Sequence, residues 1–272
     1  MEEKETYKED KKNSLNHMED ANSFITTAID KLDSLLEGGI PKGFITLILA
    51  SPGSGVEIFC KQLATNGEII YLTTDETVDE VKNTMERFNW QYDNIDFVDL
   101  NSKYLDEVIR REEKKLRYNE KINKTKIKEL IEMGSEDKNP KNNEEEDYLN
   151  IFADILSSSN SKKVIINSLD FFLNQYPKEK ILKTLDVAKL RNLKNKGNIF
   201  LSMTKGIYGE MFETQMERLA DCVLELDVIK KGSNFERMLA VKKMKNYAKK
   251  IGLARYKIDD EGFDLENIER II

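Results

Sequence analysis

The chain of 272 residues is long enough for one large α/β domain, and its 39% hydrophobic and 34% charged residues support a real core under a heavily solvated surface. A net charge of −7 argues against a broad nucleic-acid surface. Only 4 prolines and 13 glycines argue against a loop-rich all-β protein, while a single histidine (His17) and two cysteines outside any motif, Cys60 and Cys222, exclude a structural zinc cluster.

Residues 1–22 are polar, mixed-charge and aperiodic. They read as a disordered arm and lack the apolar stretch of a secretory signal. No run of about 18 apolar residues occurs anywhere, so the expectation is a cytoplasmic protein without membrane contact. From Phe24 the pattern changes. In "FITTAIDKLDSLLEGG" the residues Ile25, Ile29, Leu32, Leu35 and Leu36 fall at near-helical spacing, and Gly38-Gly39 signals the stop. "IPKG" reads as a turn. "FITLILA" is the continuous apolar run expected of a strand buried on both faces. It leads into "SPGSGVE" and then a helix over "EIFCKQLATN".

Further strands follow at "EIIYLTTD", "IDFVDL", "KKVIINSLD", "GNIFLSMT" and "DCVLELDVI". Helical segments separate most of them, including "ETVDEVKNTMERFN", with Val78, Val81 and Met85 on one side. "ERMLAVKKMK" and "ARYKIDDEGF" read as later strands, antiparallel at an edge. This alternation predicts an α/β fold, an open and mainly parallel sheet with helices on both faces. The loop after the first buried strand lies where such sheets bind ligands. Cys60 and Cys222 sit among apolar residues and read as buried free thiols. Residues 23–272 form a single domain, interrupted at about 103–147 by a segment dominated by Lys, Glu and Asn. There Leu105, Val108, Ile109 and Leu116, then Ile127, Leu130 and Ile131, keep helical spacing, and the part after Gly134 reads as disordered. A solvated helical excursion is one reading; a partner-docking arm is the other.

A loop that cradles phosphates has the form G-x-x-x-x-G-K-[ST]. Here Ala50 stands at the first glycine, Val56 at the lysine and Glu57 at the hydroxyl residue, and only Pro52, Gly53, Ser54 and Gly55 suit phosphate chemistry. Opposite charges about 4 Å apart attract by roughly 4 kcal/mol at an effective dielectric near 20, and Val56 forgoes that attraction. Glu57 puts an anion where an anion must sit, and its carboxylate is expected to satisfy the N–H groups of its own helix. Direct ligation of magnesium by Glu57 is the countervailing idea.

The stretch "TAIDKLDSLLEGGIPKGFITLILASPGSG" resembles the N-terminal signature of the KaiC/RadA branch of the RecA-fold ATPases. Leu32-Asp33, Leu35-Leu36, Gly38-Gly39-Ile40-Pro41 and Gly43 all fit it, whereas Ala28 replaces the family's glycine before the helix. The resemblance covers about 23–265 outside the excursion. It implies a RecA-like core, a mainly parallel twisted sheet flanked by helices with antiparallel C-terminal edge strands. It also implies roles. Asn167, ending "VIIN", stands at the position of the magnesium-associated aspartate. Asp75-Glu76 stands at the acidic pair that supplies the general base. Lys243 and Lys245 stand at a Lys-x-Arg pair that reaches the neighbouring subunit's nucleotide.

Each role is altered or contested in this sequence. An amide at 167 brings no charge, and Asp170 lies beyond the strand end and does not inherit the role. Asp75 is also a strong choice for capping the helix from Thr77. A lysine at 245 cannot make an arginine's bidentate phosphate contact. The expectation is therefore a KaiC-like pseudo-ATPase with a vestigial site at Pro52–Glu57 and Asn167, no metal and no cofactor. It would act as a regulatory or scaffold protein on a protein partner, an active relative or itself. A divergent ATPase using ATP with Mg²⁺ and Asp75-Glu76 is the alternative. A recombinase-like DNA-binding paralogue is the third, disfavoured by the acidic charge and the missing aromatic ladder.

Overall fold

The computed structural model describes residues 24–124, 147–158, 162–247 and 252–269. The expected disordered arm at 1–22 and the expected disorder after Gly134 lie outside the described residues. A two-stranded ribbon, β1 (Phe24–Ile25) against β2 (Ile40–Pro41), closes around the first helix, α1 (Asp30–Leu35). The predicted helix is therefore shorter than its apolar spacing suggested, and "IPKG" begins as a strand, not a turn. The cause is local. The Asp33 carboxylate accepts from Thr27 N (2.8 Å), Thr27 Oγ1 (2.7 Å) and the Thr26 hydroxyl, which holds 26–27 in a turn, and Ala28 adopts φ +60°. At Gly39 a Cβ would stand 2.3 Å from the Ile25 carbonyl oxygen, so the ribbon closes only over glycine.

Six parallel strands make the centre: β3 (Ile45–Ala50), β4 (Ile69–Thr73), β5 (Ile95–Asp99), β6 (Lys163–Asn167), β7 (Asn198–Thr204) and β8 (Cys222–Lys231). Every residue of β3, β4 and β6 is buried, as their continuous apolar runs require. β9 (Asn234–Met244), β10 (Gly252–Asp259) and β11 (Gly262–Glu269) continue the sheet antiparallel beyond β8, in the order 11-10-9-8-3-7-6-4-5. "ARYKIDDEGF" thus spans a hairpin turn and parts of two strands. Gly262, at φ +111°, makes the turn.

Helices cover both faces. Against one pack α1, α2 (Val56–Leu63) and α3 (Val78–Arg87), around Phe59, Leu63, Tyr71 and Phe200. Against the other pack α5 (Tyr148–Ser157), α6 (Asp170–Gln175), α7 (Lys178–Asn195) and α8 (Glu210–Leu219), around Leu47, Leu72, Phe152 and Leu201. Between them in the chain, α4 (Leu100–Lys124) starts directly at the end of β5. The Asp99 carboxylate accepts from Ser102 N at 2.7 Å and from Ser102 Oγ at 2.8 Å, fixing the new direction. The excursion therefore begins as a 25-residue helix, three residues earlier than its composition shift. Both cysteines are buried and free, and burial pushes the Cys60 thiol up to about 12. Among the described residues, no helix is long and apolar enough to cross a membrane.

Candidate functional site

β3 lies between β7 and β8, with Ala50 paired to Thr204 on one side and Leu226 on the other. The loop Ser51–Gly55 leaves the strand there, at the carboxyl edge of the parallel sheet, and enters α2. Gly53 and Gly55 take left-handed backbone (φ +81° and +79°), and Gly55 serves as N-cap. The N–H groups of Gly53, Gly55, Val56 and Glu57 have no acceptor among the described residues. The backbone thus retains the form of an anion cradle. Its side chains do not. Val56 supplies no cation. Glu57 is exposed and makes no hydrogen bond among the described residues, so there it does not satisfy its own helix N-terminus as its position suggested.

The loop is held by the far end of the chain. Tyr256 Oη donates to the Ser54 carbonyl (2.8 Å), and Arg237 Nε donates to the Gly53 carbonyl (3.3 Å). Ile258 leans on Gly55, where an added Cβ would lie 2.2 Å from its Cδ1. Ser51 Oγ donates to Asp227 (2.5 Å), which also accepts from Lys205 Nζ (2.7 Å); Lys205 bridges on to Glu225 (3.0 Å). Lys205, the lysine seen bonding beside the loop, is thereby committed to two carboxylates. Burial raises the Tyr256 phenol above its usual range, so the donor stays protonated. Ser54 itself is buried, and its hydroxyl has no partner among the described residues.

At the end of β4, Asp75 is exposed and caps nothing. Thr77 caps α3 in its place, in a reciprocal box in which Glu80 N donates to Thr77 Oγ1 (3.2 Å) and Thr77 N donates to Glu80 (2.8 Å). Glu76 has a different partner. Lys61, on α2 and 0% exposed, donates to both its oxygens at 2.8 and 2.6 Å. The carboxylate at the general-base position is thus neutralised by an internal ammonium that engages both its oxygens.

Asn167, also buried, ends β6 opposite Thr73. Its Oδ1 accepts from Ser202 Oγ (3.0 Å) and its main-chain oxygen from Thr74 N (2.9 Å). Asp170, the first residue of α6, accepts from Thr204 N (3.1 Å) and Thr204 Oγ1 (2.6 Å), a tie between elements. Lys243 and Lys245 share one end of β9. Lys243 Nζ donates to the carbonyls of Glu217 (2.8 Å), Arg218 (3.2 Å) and Ala220 (2.6 Å), closing the C-terminus of α8, and Lys245 stands 3.5 Å from Asp221.

The structure therefore brings the loop, Glu76, Asn167 and Asp170 to one edge of the sheet and leaves Lys243 and Lys245 at the opposite end, beside the C-terminus of α8. The residues at that edge fit a magnesium triphosphate poorly: Val56 brings no cation to the cradle, Arg237 is turned to the Gly53 carbonyl, an anion stands in the first helical turn, and the amide oxygen at 167 is already bonded. Among the described residues, no group of three His, Cys, Asp or Glu could hold a metal ion. Sequence reasoning missed Lys61, Arg237, Tyr256 and Ile258. Lys61 alone left a signal, as the single charge in "IFCKQLA".

The family described as "ATPase: KaiC" matches residues 25–269. A UPF0273 protein of Thermotoga maritima is 39% identical over 74 residues, 25% of this chain and 31% of that protein. A UPF0273 protein of Methanocaldococcus jannaschii is 31% identical over 72 residues, 24% of this chain and 30% of that protein. The chain thus matches about a third of the length of these curated relatives. The crystal structure of a KaiC-like protein from the archaeon Pyrococcus horikoshii superposes with a TM-score of 0.63 at 18% identity, over 90% of this chain and 99% of that one. That likeness shows the fold.

Proposed function

The chain belongs to the KaiC ATPase family, and we propose that it acts there as a pseudo-ATPase, a regulatory or scaffold protein that works through contacts with other protein chains. What carries the proposal is the Lys61–Glu76 ion pair. A general base needs a free lone pair directed at water. Here a buried ammonium bonds each oxygen of Glu76, so a proton taken up there would leave Lys61 without its counter-charge, while the loop has Val56 where a phosphate would need a cation. The cradle's shape does not argue for a ligand, because Tyr256, Ile258 and Arg237 hold it from within the chain.

Isothermal titration with Mg-ATP tests this. The wild-type chain is expected to give no binding heat at about 1 mM nucleotide, weaker than roughly −4 kcal/mol. Micromolar binding would overturn the proposal. The variant Val56→Lys/Glu57→Thr serves as the positive control. It restores a cation and a hydroxyl to a backbone already in place, and is expected to bind at least about a hundredfold more tightly, a gain of roughly 3 kcal/mol. It is expected to release no phosphate, because the Lys61–Glu76 pair is intact.

A further inference from the structure

We propose that the hollow at the turn from α3 into β5 binds a guanidinium group, the side chain of an arginine presented by a partner protein. The proposal rests on the protein-contact reading above and deepens it by naming the chemistry of the contact. Glu86, Asn89, Trp90, Gln91, Tyr92 and Asp93 enclose about 310 Å³ there. β5 begins at Ile95, so the hollow lies at the amino edge of the parallel sheet, the end opposite the phosphate loop. The chain's own contacts build the turn. Asn89 takes left-handed backbone (φ +56°), Asn89 N donates to the Glu86 carbonyl (2.9 Å) and Trp90 N to the Met85 carbonyl (2.9 Å), which closes the end of α3. Trp90 stacks on Phe88 with ring centres 4.6 Å apart, and its edge abuts Gly262 of β11, where an added Cβ would stand 2.3 Å from Cζ2. The half-buried indole is thus fixed on one face and one edge, and the rest of it lines the hollow.

The lining carries charge of one sign. Glu86 and Asp93 bring two carboxylates, and no lysine or arginine lines the hollow with them. Tyr92 Oη donates to Glu86 Oε1 (2.6 Å), which fixes that carboxylate beside the second ring. Its other oxygen and both oxygens of Asp93 have no partner among the described residues. The cations nearby lie over rings instead: Arg87 over Phe88 (5.0 Å), and Lys82 over Tyr92 (5.8 Å) and Phe97 (5.5 Å). This aromatic cluster therefore already attracts cations, while the two carboxylates beside it are left without one. A guanidinium meets both demands, because its plane stacks on an indole and its N–H groups fork onto carboxylate oxygens. An ammonium would pair only as a point charge, and a quaternary ammonium has no N–H to donate. The size also selects. Ligand sites run from roughly 300 to 1,000 Å³, so this one suits a single side chain better than a nucleotide-sized molecule. Asn89 and Gln91, both exposed at the rim, offer amides to the main chain of the segment that presents the arginine.

Trp90 is the chain's one tryptophan, so its indole N–H resonance reads the hollow directly. The test titrates the full-length chain with the blocked peptide acetyl-Gly-Arg-Gly-amide. The indole signal is expected to shift with half-saturation at about 1–10 mM, the range of a single side-chain contact. The same peptide with citrulline, uncharged and of the same shape, is expected to bind at least about tenfold more weakly, and choline more weakly than the arginine peptide. Methylguanidinium is expected to bind no more tightly than the peptide. Glu86→Gln, which keeps an acceptor for Tyr92, and Asp93→Asn are each expected to weaken the arginine peptide about fivefold with unchanged circular dichroism. No shift by about 50 mM peptide, an equal response to citrulline, or affinity untouched by both substitutions would overturn the proposal. Tighter binding of choline would replace the guanidinium with a quaternary ammonium, and binding of methylguanidinium without the peptide would replace the partner with a small molecule, so either result also overturns it. None of these outcomes bears on the calorimetry at the opposite edge of the sheet, so the two readings fail separately.

Discussion

Replacing Glu76 separates an enzyme from a pseudo-enzyme. In an active relative, Glu76→Gln would remove a base and leave the fold intact. Here it removes the acidic partner of a fully buried ammonium. At 2.6 Å the pair's gross attraction is about 6 kcal/mol for an effective dielectric of 20. Desolvation offsets much of this, and breaking a buried pair from one side typically costs about 3–5 kcal/mol. Glu76 keeps 25% exposure, which places the expectation near the lower end, about 3 kcal/mol for Glu76→Gln. Lys61→Met should cost less, about 1–2 kcal/mol, because the carboxylate left behind reaches water. The double variant should cost no more than Lys61→Met alone, giving a coupling of about 3 kcal/mol or more. Urea unfolding of the four proteins measures these values, and about 3 kcal/mol shifts the midpoint by roughly 1 M or more. A Glu76→Gln protein with unchanged stability, combined with loss of a phosphate-release activity present in the wild type, would refute the reasoning and make Glu76 a working base.

Two further expectations concern stability. Gly53→Ala and Gly55→Ala both force alanine into left-handed backbone at about 1–2 kcal/mol. At Gly53 the space is open, whereas at Gly55 the new Cβ meets Ile258. Gly55→Ala should therefore cost about 1–3 kcal/mol more, and equal thermal midpoints for the two would show that the hairpin does not press on the loop. Lys163 lies under the sheet, donating to the carbonyls of Leu63 (2.7 Å), Asn66 (3.0 Å) and Thr26 (3.1 Å). Burial lowers its ammonium pKa from 10.5 to about 8, against a smaller opposing pull from Asp33. Between those two values the unfolded chain holds a proton that the native chain has lost, so this group's contribution to stability rises with pH, by about 3 kcal/mol in all. Urea midpoints taken on either side of the window should show that rise in the wild type and not in Lys163→Met; parallel pH profiles would exclude it.

Much of the fold was legible because burial on both faces leaves a plain mark. "FITLILA" and "KKVIIN" can serve only as strands of a covered sheet, and the position of the loop after the first of them follows. "TVDE" also carried the capping box at Thr77 and Glu80, although Asp75 looked the better cap by residue type. What could not be read was contact at long range. Tyr256 reaches Ser54 across 202 residues, and nothing in "ARYKID" marks a strand that will support a phosphate loop. The early turn at Thr26–Thr27 was hidden for the opposite reason. There the apolar spacing was truly helical, and a local carboxylate overrode it.

The position of the cations bears on how the loop is interpreted. A cradle of free N–H groups is half of a phosphate site, and the other half is charge. In this chain much of the charge near that edge is engaged: Lys61 on Glu76 inside the protein and Lys205 on Asp227 and Glu225 beside the loop, while Arg237 reaches the Gly53 carbonyl through Nε. These contacts brace the loop from within the chain, and a triphosphate that drew on Lys61 or Lys205 would have to strip it from its present partners. An enzyme of this design would need its ligand to complete the loop. Here the hairpin braces it, and on the proposal above tight nucleotide binding is expected only after substitution at Val56 and Glu57.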